Sequence, residues 1–507
     1  ALTTVHKAEK SSNYKNRTEA LYFGANDGML HALNAKTGAE LFSYIPGTFL
    51  EDLAQLSSPA YHHRFFVDGE VTIADAYLSS SWKTVLLGSR GRGGSTIFAL
   101  DISDPDNFSA SDVLWEISAQ DSDFADLGVQ LKKIKVVRLN SGKWAAVFGN
   151  GYSRENPSAN PNANAILYVV DLQSGALIKK IDTQTTGING LSEVSTVDTN
   201  NDHNADYAYA GDLQGNMWKF DLLDGSANNW KVAFQSSDSD PAPLFSANYT
   251  VTNDDGDEVI LPQPITVAPT INKHPIDGYM LLFGTGKYFE SQDNMVFPSE
   301  PLQSFYGVQD DGKGPVGDRD ELVKQSILYE SNNVSTGSYR ITSNNTVDFS
   351  KKMGWYLDLQ GPTVSGNTPA ANGEKVVLQA LLYDTKVIFF SLIPSANVCE
   401  PGGTSWTMIL NALDGRAGDT PVSDENGDGV VDDKDKVTIT DPQGKVTTYV
   451  KSGTGNTNIT VGAALIDKDD GDTILVRQGS DATLETKILS KSEDPPISGR
   501  ISWREIR

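Results

Sequence analysis

The sequence has almost no cysteine: Cys399 is the only one in 507 residues. No intramolecular disulfide can form, which excludes a disulfide-stapled framework without excluding export. No apolar run is long enough to cross a bilayer. The best one, "VIFFSLIP" from Val387, reads as a buried strand closed by a proline. The N-terminus "ALTTVHKAEKSS" lacks the apolar stretch of a signal peptide. It reads as a start inside a longer chain, which leaves any targeting signal outside it. Positive charge is in deficit, with 41 Lys and Arg against 66 Asp and Glu and a net charge of −25. Such a chain repels polyanions, which argues against nucleic acid and anionic membrane as general partners. It favours divalent cations where carboxylates cluster, although solubility alone also accounts for the charge.

Helical signals are scarce too. Short runs of Val, Ile, Phe and Tyr alternate with Gly, Asn, Asp, Ser and Thr, the pattern of an all-β chain. At this length such a chain needs closure or radial repetition to protect its edges. A repeat is present. "LYFGANDGMLHALNAKTGAELFSYIP" at Leu21 reads as strand, Gly-ended turn, strand, Thr-Gly turn, strand. The unit returns at Thr84, Ala145, Asp206 and Met280, and in weaker form at Val387 and Thr473. A sheet cannot bury both faces alone, so such units stack radially. The expectation is one seven-bladed β-propeller over residues 1–507, with an N-terminal extension at 1–20. Insertions are expected near 235–275, 290–380 and 415–460. Two stacked β-sandwiches would leave the recurring unit unexplained.

The stretch "VDTNNDHNADY" places Asp or Asn at every second position: Asp198, Asn200, Asp202, Asn204 and Asp206. Oxygens at positions 1, 3, 5, 7 (a backbone carbonyl, from Asn204) and 9 match the first ligands of an EF-type Ca²⁺ loop. Calcium is a hard cation that takes six to eight oxygens, so Asp and Asn suit it. Without a cation the three carboxylates repel one another, so metal is expected to order the loop. Two departures stand out. His203 occupies the usual Gly of position 6, and Tyr209 stands where a bidentate Glu belongs. The alternative is a solvated turn capping the strand at Tyr207. Asp206→Ala is expected to weaken calcium without unfolding the chain, and Asn204→Ala to matter little.

A second loop, "DENGDGVVDDKD", is closer to the EF pattern. Asp424, Asn426, Asp428, the Val430 carbonyl and Asp432 take the same offsets, with Gly429 at position 6 and Asp435 at position 12. Asp435 is shorter than the usual Glu, and the loop falls in an expected insertion, where mobility is expected.

Other constellations are weaker. His62 and His63 adjoin Arg64 without metal partners at ligand spacing, and as strand neighbours they would point to opposite faces. "GSRGRGG" from Gly88 fits neither a P-loop nor a dinucleotide fingerprint and reads as a tightly packed hairpin. No G-x-S-x-G elbow or H-E-x-x-H is present. Cys399 has no activating base beside it. Tyr168, Trp218, Tyr306 and Trp406 read as core.

The unit "YFGANDGMLHALNAKTG" resembles the blade of quinoprotein alcohol dehydrogenase-like propellers. "FGANDGMLHALNAKTG", "FGNGY", "DTNNDHNADYAYAGDLQGNMWKFDL" and "FGTGKYF", in this order, resemble the C-terminal domain of the PilY family of type IV pilus biogenesis factors and tip-associated adhesins. The resemblance runs from about Leu21 to the end. It implies a modified seven-bladed propeller, exported, pilus-associated and at the outer membrane or cell surface. It implies one calcium site, mapping onto Asp198, Asn200, Asp202, the Asn204 carbonyl and Asp206, whose occupancy governs pilus extension against retraction, and with it twitching motility. Pilins or minor pilins, and host or abiotic surfaces, are the implied partners; the family's N-terminal adhesive region is not in this chain. The second loop is no family hallmark. Two rival readings remain. A quinoprotein dehydrogenase would carry a vicinal cysteine pair, which a single cysteine removes, and would oxidise alcohols with added pyrroloquinoline quinone and calcium. An integrin-like ligand-binding propeller would repeat the Asp loop in several blades.

Overall fold

The computed structural model describes residues 17–490, apart from 153–163, 186, 253–254, 291, 297–300, 334–336, 363–370, 396–401, 441–443 and 469–471. Cys399 and the start of the expected N-terminal extension lie outside the described residues. No helix among the described residues is long and apolar enough to cross a membrane. Contacts fall into two compact units: Ala1–Asp212 with Lys219–Ala242, and Leu213–Trp218 with Pro243–Arg507.

The first unit is built of up-and-down antiparallel sheets. Strands β1 (Ala20–Gly24), β2 (Leu30–Asn34) and β3 (Glu40–Tyr44) make a three-stranded sheet. The second sheet is β4 (Thr72–Leu78), β5 (Ser81–Ser89), β6 (Thr96–Asp101) and β7 (Val113–Ser118). The third is β8 (Lys135–Arg138), β9 (Trp144–Gly149), β10 (Ile166–Asp171) and β11 (Leu177–Asp182). The fourth runs β12 (Leu191–Val197), β13 (Tyr207–Asp212), β14 (Asn216–Asp221) and β15 (Lys231–Val232), with the last three residues of β14 in this unit. A core of Val85, Leu87, Trp115, Phe148, Tyr168 and Val170 lies between the second and third sheets. Each large side chain buried there stabilises the fold by about 1.5–3 kcal/mol. The recurring strand-end glycine has a steric cause: a Cβ on Gly149 would fall 2.3 Å from the Leu191 carbonyl oxygen.

In the second unit, Thr270–Lys273, Tyr279–Gly284, Ser304–Asp310, Gly354–Asp358 and Val323–Gln325 form a five-stranded sheet, the last pair parallel. A six-stranded sheet runs Ile327–Asn333, Gly337–Thr342, Gly453–Asn456, Gly403–Asn411, Lys386–Pro394 and Leu381–Tyr383. A three-stranded sheet of Thr460–Asp467, Thr473–Gly479 and Leu484–Leu489 follows. Thus seven sheets of three or more strands are present among the described residues, one for each repeat read in the sequence. The intervals read as insertions are not all loop. Residues 290–380 supply strands to both larger sheets, and Gly453–Asn456 sits inside the six-stranded one. Their Gly-, Asp- and Thr-rich composition resembles loop, but the register pairs Thr407 with Thr454 and Arg340 with Gly453. Only small residues fit there: a Cβ on Gly453 would meet the Met408 sulfur at 2.3 Å.

Candidate metal centre

The loop from Asp198 to Asp206 joins β12 to β13, and its ends meet where Val197 pairs with Tyr207. Its polar side chains fold inward on its own backbone. Asp198 Oδ1 accepts the N–H of Asn201 at 2.7 Å, and Oδ2 accepts that of His203 at 2.8 Å. Asn200 Oδ1 accepts the Asp202 N–H at 2.8 Å, and Asp202 Oδ1 the Asn204 N–H at 2.9 Å. The Asn204 N–H holds the Asp202 carboxyl below the usual carboxylate range. Asn201 and His203 both sit in the left-handed region, at φ 62° and 69°. Asn tolerates that region; His pays about 1–2 kcal/mol for it.

Asp206 differs from the other acids. It is fully buried, and its carboxylate accepts the Thr199 N–H at 2.8 Å, the Thr199 hydroxyl, and Asn140 Nδ2 at 3.0 Å. Three donors leave acceptor capacity on a carboxylate with about four lone-pair sites. Asp206→Ala would remove the acceptor that Thr199 and Asn140 share, while Asn140 Nδ2 keeps the Ala205 and Leu222 carbonyls at 3.4 and 3.3 Å, so the change is expected to loosen the loop closure without unfolding the chain. The Asn204 side chain is not idle either. Its Oδ1 accepts from Arg138 at 2.9 Å, which ties the loop to β8. Arg138 and Asn140 lie more than sixty residues upstream, with no local signal linking them to the loop.

The second loop repeats this geometry. Asp424 accepts from Gly427 at 2.7 Å and Gly429 at 2.9 Å, Asn426 from Asp428 at 2.8 Å, and Asp428 from Val430 at 3.0 Å. Gly427 and Gly429 take the left-handed positions that Asn201 and His203 hold in the first loop. Here residue 12 closes the ring: buried Asp435 accepts the Glu425 N–H at 2.6 Å and the Asp432 N–H at 2.9 Å. Asp432 caps the short turn that follows, accepting from Lys434 N–H at 2.8 Å, which lowers its carboxyl. The loop is anchored to the strands beside it. Glu425, largely buried, binds Lys487 at 2.7 Å and the Thr454 hydroxyl at 2.8 Å. The Asp424 N–H donates to Ile488.

At the EF-type ligand positions both loops place only oxygen donors, and in donor type these fit Ca²⁺. Among the described residues no three His, Cys, Asp or Glu side chains form a group placed to hold a metal ion. The carboxylates are spread along each loop and bonded to its N–H groups. Elsewhere, Tyr168, Trp218, Tyr306 and Trp406 are buried, as expected of core. His62 and His63 lie in irregular chain and are exposed; the strand placement assumed for them is wrong.

Residues 4–333 match the family model of the PilY1 beta-propeller domain. A type IV pilus biogenesis factor PilY1 homolog from Xylella fastidiosa is 37% identical over 411 residues, covering 79% of this chain and 26% of its own length. The type IV pilus biogenesis factor PilY1 of Pseudomonas aeruginosa is 36% identical over 448 residues, covering 80% of this chain and 36% of its own. Among solved structures, the C-terminal domain of Pseudomonas aeruginosa PilY1 is similar with a TM-score of 0.75 and 31% identity, over 96% of this chain and 95% of that one. The chain therefore spans about a quarter to just over a third of these curated relatives. Together with the seven sheets, these matches give the fold class: an all-β, seven-bladed β-propeller.

Proposed function

The chain belongs to the PilY1 β-propeller family, and on that basis we propose that it is a non-enzymatic, calcium-dependent part of a type IV pilus biogenesis factor. In this reading it is exported, stands at the outer membrane or cell surface with pilins or minor pilins as partners, and controls pilus extension against retraction. Twitching motility and surface attachment follow from that control. The observation that carries the calcium reading is the wrapped loop Asp198–Asp206, which runs directly into β13. Calcium would be held by Asp198, Asn200, Asp202, the Asn204 carbonyl and Asp206. Bound there, it supplies the positive charge that relieves repulsion among three carboxylates. Asp206, fixed by Asn140 and Thr199, sits at the junction with the strand, so occupancy is felt by a sheet. The second loop is proposed as a further calcium site, on the strength of its matching wrap and its anchoring through Glu425.

Calorimetric titration of calcium tests this. The expected stoichiometry is two per chain, falling to one in Asp202→Ala or Asp428→Ala, each an exposed loop residue. A wild-type chain that binds no calcium, or an Asp202→Ala chain that binds as wild type, overturns the first site. In cells carrying Asp202→Ala in the full-length protein, unchanged piliation and twitching would leave calcium a structural role only.

A further inference from the structure

Two segments noted in the sequence have no part in the proposed function: Tyr61-His62-His63-Arg64 and the "GSRGRGG" loop. The structure brings them together. The glycine loop lies on the backbone of 66–69, so closely that a Cβ on Gly93 would fall 2.0 Å from the Phe66 carbonyl oxygen. One on Gly91 would fall 2.4 Å from the Gly69 nitrogen. That approach sets the Arg92 guanidinium 4.9 Å over the Phe65 ring, and His63 meets the same ring edge-on at 5.1 Å. Beside them Arg64 lies 6.0 Å over Phe66 and bonds Gln55. Arg90 is buried underneath, 5.3 Å over Phe49. Tyr61, His62 and His63 are exposed, and Phe65, Arg64 and Arg92 are half-buried.

This patch is a local exception to the charge of the chain. Acids average about one residue in eight, 66 in 507, yet residues 53–67 and 76–100 contain none. These runs carry His62, His63, Arg64, Arg90 and Arg92, and Lys83, which pairs with Asp101 at 2.8 Å. Asp68 lies beside the patch, within electrostatic reach of Arg92 and His63. In a molecule of net charge −25, a surface poor in acids and faced with cations on aromatic rings is suited to an anion.

We propose that this patch binds an anionic polysaccharide, a sugar chain bearing repeated carboxylate or sulfate groups. Guanidinium forks take such groups in paired hydrogen bonds, and the exposed Tyr61 ring gives a flat apolar face against which a sugar ring lies. The segment 59–70 is not in a strand, so it offers no sheet edge for an added peptide strand. A flexible anionic chain requires none. Attraction at an exposed patch is screened within about 8–10 Å at ordinary salt, so binding weakens as salt rises.

The test measures binding of polygalacturonate, dextran sulfate, neutral dextran and polyglutamate to the whole chain by interferometry at two salt concentrations. Polygalacturonate or dextran sulfate is expected to bind, and which of them binds assigns carboxylate or sulfate as the group read. Neutral dextran is expected not to bind. The combined variant His62→Gln, His63→Gln, Arg92→Gln should bind at least tenfold more weakly while keeping its β-sheet circular dichroism and its calcium titration. Wild type that binds neither polysaccharide overturns the proposal, as does a folded variant that binds like wild type. Polyglutamate binding as tightly as the sugars would make the partner an acidic protein instead. Since calcium titration is read separately, failure here leaves the metal reading intact.

Discussion

The Asp206 carboxylate accepts the Thr199 N–H at 2.8 Å, so the ninth residue of the first loop closes on the second. In the second loop residue 12 does this, Asp435 accepting from Glu425. The two loops share their first turn and differ in how far the chain travels before a buried Asp shuts the ring. The Asp of position 9 therefore closes the first loop beside the calcium role proposed for it, and substitutions should separate the two.

Asp202 accepts from Asn204 and is exposed; Asp206 is buried among three donors. Asp202→Ala should weaken calcium tenfold or more and leave the calcium-free melting temperature unchanged. Asp206→Ala should weaken calcium too and also lower that temperature, since it removes the hydrogen bonds that close the loop, each worth on the order of 1 kcal/mol. Calorimetry with and without chelator distinguishes the two. Equal calcium-free melting temperatures for both variants would show that Asp206 has no closing role.

His203 stands at φ 69°, where its counterpart in the other loop is Gly429 at 87°. His203→Gly removes the left-handed penalty of about 1–2 kcal/mol, partly offset by backbone entropy. The net expectation is a few-fold gain in calcium affinity. His203→Val, whose branched Cβ tolerates that region least, should lose affinity by more than His203→Gly gains. Titration of the three proteins gives the order Gly, His, Val.

Asn204→Ala is not the silent change that a carbonyl ligand alone would suggest. It breaks the bond from Arg138, a hydrogen bond to a charged group of a kind worth about 1.5–3 kcal/mol at most and less where solvent reaches it. Arg138→Met should have the same effect, and the double variant should be no worse than either single one. Hydrogen exchange at Asn201–Asn204 should speed up in all three. Additive effects in the double variant would contradict a shared tether.

How much of this was legible in the chain follows from how local each signal is. The repeat, the core aromatics and the alternating Asp and Asn are local, and they located the sheets and the two wrapped loops. Asn140, Arg138 and the clasp of Glu425 by Lys487 are contacts across more than sixty residues, which spacing does not encode. The strand Gly453–Asn456, inside 415–460, was hidden for another reason. Gly453 and Gly455 lie where neighbouring side chains leave no room for a Cβ, so a strand there carries the composition of a loop. The meeting of His63, Phe65 and Arg92 was equally hidden, because each half matched no motif alone.

Two histidines should give the stability opposite pH dependences. His31 bonds Glu40 at 2.7 Å and Asp27 at 2.9 Å, and the bond to Glu40 chiefly raises its pKa above 6.5. Its contribution is complete below pH 6.5 and is lost as pH rises through the raised value. Both acids are about half exposed, so the pair is worth under about 1 kcal/mol. His274 is buried; Nδ1 takes Gln309 at 3.1 Å, Asp277 lies nearby, and Phe349 packs at 4.5 Å. Burial lowers its pKa, so its contribution is present above pH 6.5 and is lost as pH falls toward the lowered value. Melting curves from pH 5 to 8.5 should lose their acid-side slope in His274→Gln and their neutral-side slope in His31→Gln. Slopes unchanged in both variants would assign the pH response to other groups.

Arg340 and Glu374 are both fully buried in the second unit, joined by two bonds of 2.6 and 2.7 Å. Glu330 takes Arg340 Nε at 2.8 Å, Ser391 donates to Glu374, and Trp406 lies 4.1 Å beneath the guanidinium. Every polar partner is met inside the protein, so removing one partner leaves a charge with no water to replace it. Glu374→Gln leaves Arg340 with Glu330 alone and should cost up to about 3–5 kcal/mol, whereas Arg340→Met with Glu374→Leu, which removes the fully buried pair and leaves only the partly exposed Glu330 to be solvated, should cost less. Denaturant unfolding of the three proteins measures this. The single change being milder than the double would mean that the ion pair itself, and not the avoidance of an orphaned charge, holds these strands together.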